Sequence, residues 1–304
     1  MAVVRIDSGR SRLPRWSAVL AGAPARVGAV PPTVQVLIAI VSVQVGAAVA
    51  KQLFTAAGAA GAVTLRLGLA AVVFVLLWRP SLKLNRHALP VILGYGAVLG
   101  TMNLCFYLAI ERIPLGIAVT VEFLGPLAVA LVGSRRWLDG LWALLAAAGV
   151  VLLSQTGGDA DLVGLLFALA AGACWAFYIL LGAALGSRTT DGSGLALASV
   201  VAAALVVPFG VADAGTTLLE PSVLVAGLGV ALMSSVVPYS LELKALRSLP
   251  PRVFGVLMSL EPAVAALAGL VVLGEALRPT QWVAICCVVA ASAGATRYGR
   301  PKPE

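Results

Sequence analysis

Charged residues are scarce in this chain of 304 residues. They make up 11% of it, whereas an ordinary soluble domain has about 25%. Apolar types account for 61% of the residues, and the mean hydropathy is +1.02. A soluble core of this size cannot bury that much apolar surface. The composition therefore excludes a water-soluble enzyme or binding domain and a disordered chain, and it predicts a polytopic membrane protein.

Histidine and cysteine are also scarce. The one histidine, His87, lies in a polar connection, and Cys105, Cys174, Cys286 and Cys287 all lie inside apolar runs. The chain has no CxxC pair and no Cys/His cluster with the spacing of metal ligands. The sequence therefore predicts no metal site, no cofactor and no catalytic residues of the Ser-His or Cys-His type.

The positive charges are not gathered on one face. The chain has 21 Lys and Arg against 13 Asp and Glu, and the basic residues occur in small groups between apolar runs. A nucleic-acid partner requires a clustered basic surface, so the pattern favours the lipid bilayer as the partner. No GxxxxGK[ST] motif is present, which argues against direct use of ATP.

Ten apolar runs are long enough for transmembrane helices, which need about 20 residues each. The runs are long and continuous, unlike the alternating strands of a membrane β-barrel. The sequence thus predicts an all-α polytopic membrane protein with ten transmembrane helices. The predicted helices are 34–54, 60–78, 88–108, 114–133, 137–154, 162–184, 193–212, 222–243, 250–273 and 279–298.

The positive charges also predict the orientation in the membrane. Seventeen Lys and Arg lie on the side of the two termini, and only Arg112 and Arg278 lie in connections on the other side. Because basic connections stay in the cytoplasm, both termini are predicted to be cytoplasmic. Residues 1–33 are interpreted as an Arg-rich cytoplasmic tail rather than a signal peptide, and 299–304 as a second tail.

The two halves of the chain repeat each other. A shift of 136 residues brings Pro114 onto Pro250 and Pro126 onto Pro262. Five runs in each half place the second half upside down, so we predict two inverted repeats, at 34–154 and 162–298. Inverted repeats bind solutes near the midplane, where helices are interrupted. Pro126 and Pro262 are predicted to interrupt their helices there, although a single proline more often only kinks a packed helix.

Three segments resemble one known family. They are NLCFYLAIERIPLGIAVTVEFLGPLAVAL at 103–131, TLRLGLAA at 64–71, and LEPAVAALAGLVVLGEA at 260–276. These segments are similar to the threonine/homoserine exporter branch of the EamA-type transporters, in the drug/metabolite transporter superfamily. In the first half, the position of the family's Gly-Glu pair falls on Leu138-Asp139. The resemblance implies two EamA repeats, an inner-membrane location and efflux of small amino acids or related metabolites.

Glu122 and Glu261 are the best candidates for binding residues, because each lies near the middle of a predicted helix. A charge at that depth costs at least about 2.5 kcal/mol, so the side chain has to face protein or water. Burial favours the uncharged form of a carboxyl group, which suits a group that alternates between a proton and a substrate ammonium. The alternative is a structural carboxyl that is protonated or paired with an arginine.

Arg66 and Lys51 are candidates for binding a substrate carboxylate. Lys51 lies near the end of its run and has the alternative of extending to the membrane interface. Arg66 lies deeper, and its alternative is an ion pair with Glu122.

Further polar and aromatic side chains within the runs are weaker candidates, since most such residues form interhelical contacts. These are Asn103, Tyr107, Trp175, Tyr178 and Tyr239. Glu111–Arg112 and Glu242–Lys244 are interpreted as solvated local pairs.

The predicted function is secondary transport by alternating access, in which a small zwitterionic solute leaves the cell in exchange for protons. One alternative is an exporter of another metabolite or a drug-like solute. A second is a membrane-embedded enzyme, but the acids that it would need, Asp159, Asp161, Asp213 and Glu220, are scattered over separate connections. The third alternative is a channel or a sensor. The sequence does not indicate the oligomeric state.

Overall fold

The structure is a computed structural model that describes residues 30–80, 88–131, 137–155, 161–186, 192–246, 248–249 and 251–298. Within these ranges the backbone is mostly helical and includes no β-strand. His87, Asp159 and the predicted tails up to residue 29 and from residue 299 lie outside the described residues.

Thirteen α-helices follow one another in the described part of the chain, with one 3-10 turn at Gly215–Leu219 and two π-helical turns at Leu232–Val236 and Gly269–Leu273. The α-helices are α1 (Pro32–Gln52), α2 (Phe54–Trp78), α3 (Leu89–Arg112), α4 (Leu115–Glu122), α5 (Leu124–Leu131), α6 (Trp137–Gln155), α7 (Leu162–Gly186), α8 (Ser193–Ala214), α9 (Pro221–Ala231), α10 (Val237–Leu246), α11 (Pro251–Met258), α12 (Glu261–Ala268) and α13 (Pro279–Tyr298).

Eight helical segments of the described residues are long and apolar enough to cross a membrane. They are Pro32–Gln52, Phe54–Trp78, Leu89–Arg112, Leu162–Leu185, Ser193–Leu219, Pro221–Glu242, Val253–Leu273 and Pro279–Arg297. Two shorter apolar segments, Leu115–Leu131 and Trp137–Leu152, lie on the other two predicted runs. The prediction of an all-α membrane protein is confirmed, whereas the count of ten spans stays a prediction.

Two helical segments are interrupted at corresponding positions. The helix that starts after Pro114 breaks at Phe123, between α4 and α5. The helix that starts at Pro251 breaks at Ser259–Leu260, between α11 and α12. Each break lies two or three residues before a proline, Pro126 or Pro262. Because proline has no N–H, it removes the hydrogen bond that the carbonyl four residues earlier would accept.

Glycines allow the helices around these breaks to approach closely. A methyl group at Gly116 in α4 would lie 2.7 Å from the Cα atom of Ala266 in α12. A methyl group at Gly172 in α7 would lie 2.6 Å from the carbonyl oxygen of Glu122. The two broken helices therefore pack against each other, and α7 packs directly against the first break.

Gly58 bends α2 near its start. Its φ of +64° lies in the left-handed region, which favours glycine. The helix resumes at Ala60, whose N–H donates to Asp213 Oδ2 of α8 at 3.2 Å. The interpretation of Asp213 as an acid in a polar connection is therefore wrong, because this carboxylate lies in a helix and accepts from the backbone of another.

Candidate functional site: a central cavity with three carboxyl groups

A cavity of about 760 Å³ lies among the helices of both halves of the chain. Its lining begins at the two helix breaks, where it includes Glu122 and Glu261. From there it extends along Ala130 near the end of α5, Phe254 near the start of α11 and Thr296 near the end of α13. The cavity thus reaches from the middle of the bundle toward one of its ends.

Glu122 and Glu261 lie at the broken ends of helices. Glu122 is the last residue of α4, and Glu261 is the first residue of α12. Their side chains are 7% and 5% exposed, and neither forms a hydrogen bond or an ion pair with a described residue. The predicted alternative of an arginine-paired carboxyl therefore receives no support from the geometry.

Arg66 reaches the same cavity from α2. Its Nε donates to Ser235 Oγ at 3.3 Å, and its Nη2 donates to the carbonyl oxygen of Ser234 at 3.0 Å. The guanidinium carbon lies 5.6 Å from the centroid of the Tyr107 ring, within the range of a cation–π interaction. All these contacts of the guanidinium are with neutral groups. No carboxylate of a described residue lies within ion-pair distance of it.

Four more of the predicted side chains line the cavity: Asn103, Trp175, Tyr178 and Tyr239. Asn103 donates Nδ2 to the carbonyl oxygen of Leu99 at 2.9 Å. Trp175 packs edge-on against Phe123 at the first break, with ring centroids 5.5 Å apart. Pro126 also lines the cavity. The structure therefore brings most of the predicted residues together, although they come from seven different helices.

Lys51, Tyr107 and Pro262 are predicted site residues that do not line the cavity. Tyr107 is fully buried beside Arg66, and Pro262 is buried in the first turn of α12. Lys51 binds Glu275 instead, with Nζ 2.6 Å from Oε1. The interfacial alternative for Lys51 is not needed, because the ammonium has a partner within the protein.

The contacts of Lys51 define a cluster at the end of the bundle opposite to the cavity. We call Lys51, Ile113, Leu115 and Glu275 the closing cluster. Lys51 Nζ also donates to the carbonyl oxygen of Ile113 at 3.1 Å, and the N–H of Leu115 donates to Glu275 Oε2 at 2.8 Å. Glu275 thus caps the N-terminus of α4, and it follows Gly274, whose φ of +69° turns the chain.

Two of the polar cavity residues that the sequence analysis missed lie on one helical segment. Glu242 lines the cavity, so its interpretation as a solvated partner of Lys244 is wrong. Like the other two carboxyl groups, it forms no ion pair or hydrogen bond with a described residue. Ser234 is the second. Ser234, Pro238 and Glu242 are spaced four residues apart, which places them on one face of a helix. This spacing is the sequence pattern from which their common face could have been predicted.

The interpretation of Glu111–Arg112 as a local pair is also wrong. Arg112 Nη1 instead lies 3.2 Å from Asp161 Oδ2, and the two side chains are 43% and 41% exposed. Asp161 Oδ1 accepts from the N–H of Val163 at the start of α7. This pair connects α3 to α7, and its exposure keeps its contribution to stability small.

Comparison with known sequences and structures agrees with this fold. The profile of the EamA-like transporter family matches residues 162–297. The threonine/homoserine exporter RhtA of Salmonella typhimurium (strain LT2) is 46% identical over 277 residues, which cover 90% of this chain and 94% of that protein. RhtA of Escherichia coli (strain K12) is 46% identical over 269 residues, which cover 87% and 91%.

More distant similarities point the same way. The uncharacterized transporter YwfM of Bacillus subtilis (strain 168) is 27% identical over 241 residues, covering 75% of this chain and 80% of that protein. One solved crystal structure, at 21% identity, matches with a TM-score of 0.54 and covers 88% of this chain and 97% of that chain, which shows a shared fold. With relatives 46% identical over nearly their whole length, the chain belongs to the EamA-like transporter family.

Proposed function

We propose that this protein exports threonine, homoserine or closely related small amino acids by alternating access. The observation that carries the proposal is the buried cavity where two broken helices meet, with carboxyl groups and a guanidinium on its wall. A zwitterionic amino acid needs a partner for its ammonium and another for its carboxylate, and the cavity offers both. The RhtA exporters, which are 46% identical, support the choice of substrate.

The proposed architecture is ten transmembrane helices in two inverted five-helix repeats, 34–154 and 162–298, with both termini in the cytoplasm. The two helix breaks support it, because Phe123 and Ser259 are separated by the same 136 residues that align the prolines. The distribution of Lys and Arg supports the orientation. In this orientation the cavity extends toward the cytoplasm, and the closing cluster lies at the outer end.

In the proposed binding mode, Glu122 and Glu261 attract the ammonium group and Arg66 binds the carboxylate. Asn103, Trp175 and Tyr239 complete the wall around the solute. Lys51 is assigned a different role from the one expected from sequence. Its bond to Glu275 joins α1 to the chain after α12 and holds α4 through Leu115, so the closing cluster has to separate before the solute leaves.

The charges of the cavity support proton coupling. Three carboxyl groups, Glu122, Glu242 and Glu261, face one guanidinium, and uncompensated charges are costly in a low-dielectric interior. Protons compensate the carboxylates when no solute is present. An arriving ammonium replaces a proton, and this competition produces an exchange of solute for protons.

The experiment is efflux of labelled L-homoserine and L-threonine from preloaded cells, with and without the protein and with a protonophore. We expect faster efflux that collapses when the protonophore is added. Faster efflux that does not change when the protonophore is added would overturn the proposed proton coupling and leave the proposed substrate supported. Unchanged efflux from cells that hold the folded protein in the membrane would overturn the substrate.

The size of the cavity favours one second candidate. At roughly 30 Å³ per water molecule, about 760 Å³ holds about 25 waters and far exceeds the volume of threonine. An exporter of a larger metabolite or a drug-like cation would use that space more fully. Comparison of the metabolites released by cells with and without the protein distinguishes this candidate from the first.

A further inference from the structure

Ser234 lies in a widened turn of the helix between α9 and α10. In this π-helical turn the N–H of Val237 donates to Leu232, five residues earlier. The next residue, Pro238, has no N–H to donate, so the carbonyl groups of Met233 and Ser234 are open to other donors. Ser42 Oγ of α1 donates to Met233 at 2.7 Å, and Arg66 Nη2 of α2 donates to Ser234 at 3.0 Å.

The hydroxyl of Ser234 has no hydrogen-bond partner among the described residues, unlike several other Ser and Thr hydroxyls of this protein. Five hydroxyls in the described helices or directly after a helix end donate to the carbonyl four residues earlier, as is usual for Ser and Thr. They are those of Thr120, Ser199, Ser240, Ser259 and Thr296. Ser234 is only 1% exposed, and its Oγ forms no hydrogen bond with a described residue, although Ser234 lines the cavity. A buried hydroxyl without a hydrogen-bond partner is destabilising.

Ser234 lies beside the guanidinium of Arg66. Arg66 uses Nε for Ser235 and Nη2 for Ser234. Both Arg66 and Ser234 line the cavity. A guanidinium with a hydroxyl donor beside it suits an oxyanion and repels an ammonium.

We infer that Ser234 determines specificity for a carboxylate, because its hydroxyl donates to a carboxylate oxygen that is held by Arg66. The inference rests on the proposed function and names a residue of that site. Gly46 of α1 leaves room for the hydroxyl, since a methyl group at Gly46 would overlap Ser234 Oγ. A solute with a neutral group in place of the carboxylate forms a weaker bond with the same hydroxyl.

The test is equilibrium binding of labelled L-threonine to the purified full chain, with L-threoninamide as the competitor. Threoninamide keeps the ammonium and the hydroxyl but has no carboxylate. For Ser234→Ala we expect about tenfold weaker binding of threonine and little change in the binding of threoninamide. Only threonine has a charged carboxylate, so only its binding loses a hydrogen bond to a charged group. Ser240→Ala is the matched control on the same helix, because its hydroxyl already donates to Val236 at 2.6 Å and it does not line the cavity.

Equal losses for the acid and the amide, or no loss for either, would overturn the role of Ser234 while leaving threonine as a ligand. Failure of the unmodified protein to bind threonine would instead overturn the proposed substrate and this inference with it. Should Ser234→Ala fail to fold, Ser234→Cys keeps the shape with a weak donor, and it is expected to weaken binding of the acid selectively.

Discussion

At the scale of single residues, the three carboxyl groups of the cavity have the clearest functional consequence. Glu122, Glu242 and Glu261 come from three different helical segments, yet all reach one space. A buried carboxyl group is retained at such cost only where something else compensates it. Among the described residues no cation lies within ion-pair distance of these groups, and in the proposed mechanism protons and the solute compensate them.

Substitution of Glu122 by Gln removes the charge and keeps the shape. We expect the efflux rate at low substrate concentration to fall about 10- to 100-fold, since hydrogen bonds to charged groups contribute about 1.5–3 kcal/mol. The measurement is efflux of labelled L-homoserine from cells with matched amounts of protein. Glu111→Gln is the control, because Glu111 is exposed and does not line the cavity. A Glu122→Gln variant with unchanged efflux and unchanged sensitivity to a protonophore would refute the proton-carrying role.

At the scale of helices, the break between α4 and α5 is kept in place by close packing. Pro126 leaves the carbonyl oxygen of Glu122 without its helical donor, and α7 approaches this oxygen at Gly172. Any side chain at Gly172 has to push the break away from α7. The position of the Glu122 side chain therefore depends on a residue that does not line the cavity.

Gly172→Ala is expected to destabilise the protein by about 1–3 kcal/mol, because the new methyl group would lie 2.6 Å from the carbonyl oxygen of Glu122. Transport is expected to fall as well, since the break has to shift. Gly229→Ala is the matched control, as no atom lies within 4 Å of its new methyl group, and alanine stabilises a helix interior. Thermal unfolding in detergent measures both variants, and equal midpoints would contradict the packing argument.

At the scale of the whole molecule, the cavity and the closing cluster lie toward opposite ends. The protein is a multi-pass inner-membrane protein. Its membership of a transporter family confirms the predicted transport function and contradicts the alternative of a membrane-embedded enzyme. The lining residues extend toward Thr296, whereas Lys51, Leu115 and Glu275 hold the other end together. In the proposed alternating-access mechanism, this arrangement is one of the two access states.

Single cysteines test the direction in which the cavity opens. In a variant with the four native cysteines replaced, Thr296→Cys is expected to react with a membrane-impermeant maleimide in inside-out vesicles, and L-threonine is expected to slow the reaction. Glu220→Cys serves for comparison, because Glu220 is exposed and follows Asp213, which contacts α2 near the closing cluster. The Glu220→Cys variant is expected to react with the maleimide only in right-side-out vesicles. The opposite pattern would place both termini outside the cell.

The sequence alone determined the fold class, the approximate helix bounds and the depth of Glu122 and Glu261. These properties depend on local quantities, namely the length of an apolar run and the cost of a charge within it. Prolines 136 residues apart indicated both interrupted helices, because the loss of a backbone donor is a property of proline itself.

Only the tertiary structure decided which side chains meet. Lys51 and Glu275 are 224 residues apart, and Arg66 and Ser234 are 168 apart. A run that is apolar all round does not reveal which face meets a neighbour, so Glu242 and Ser234 were missed although they share a helix face. Partners at such distances depend on how the helices pack, and packing is set by contacts between segments that no single stretch of sequence contains.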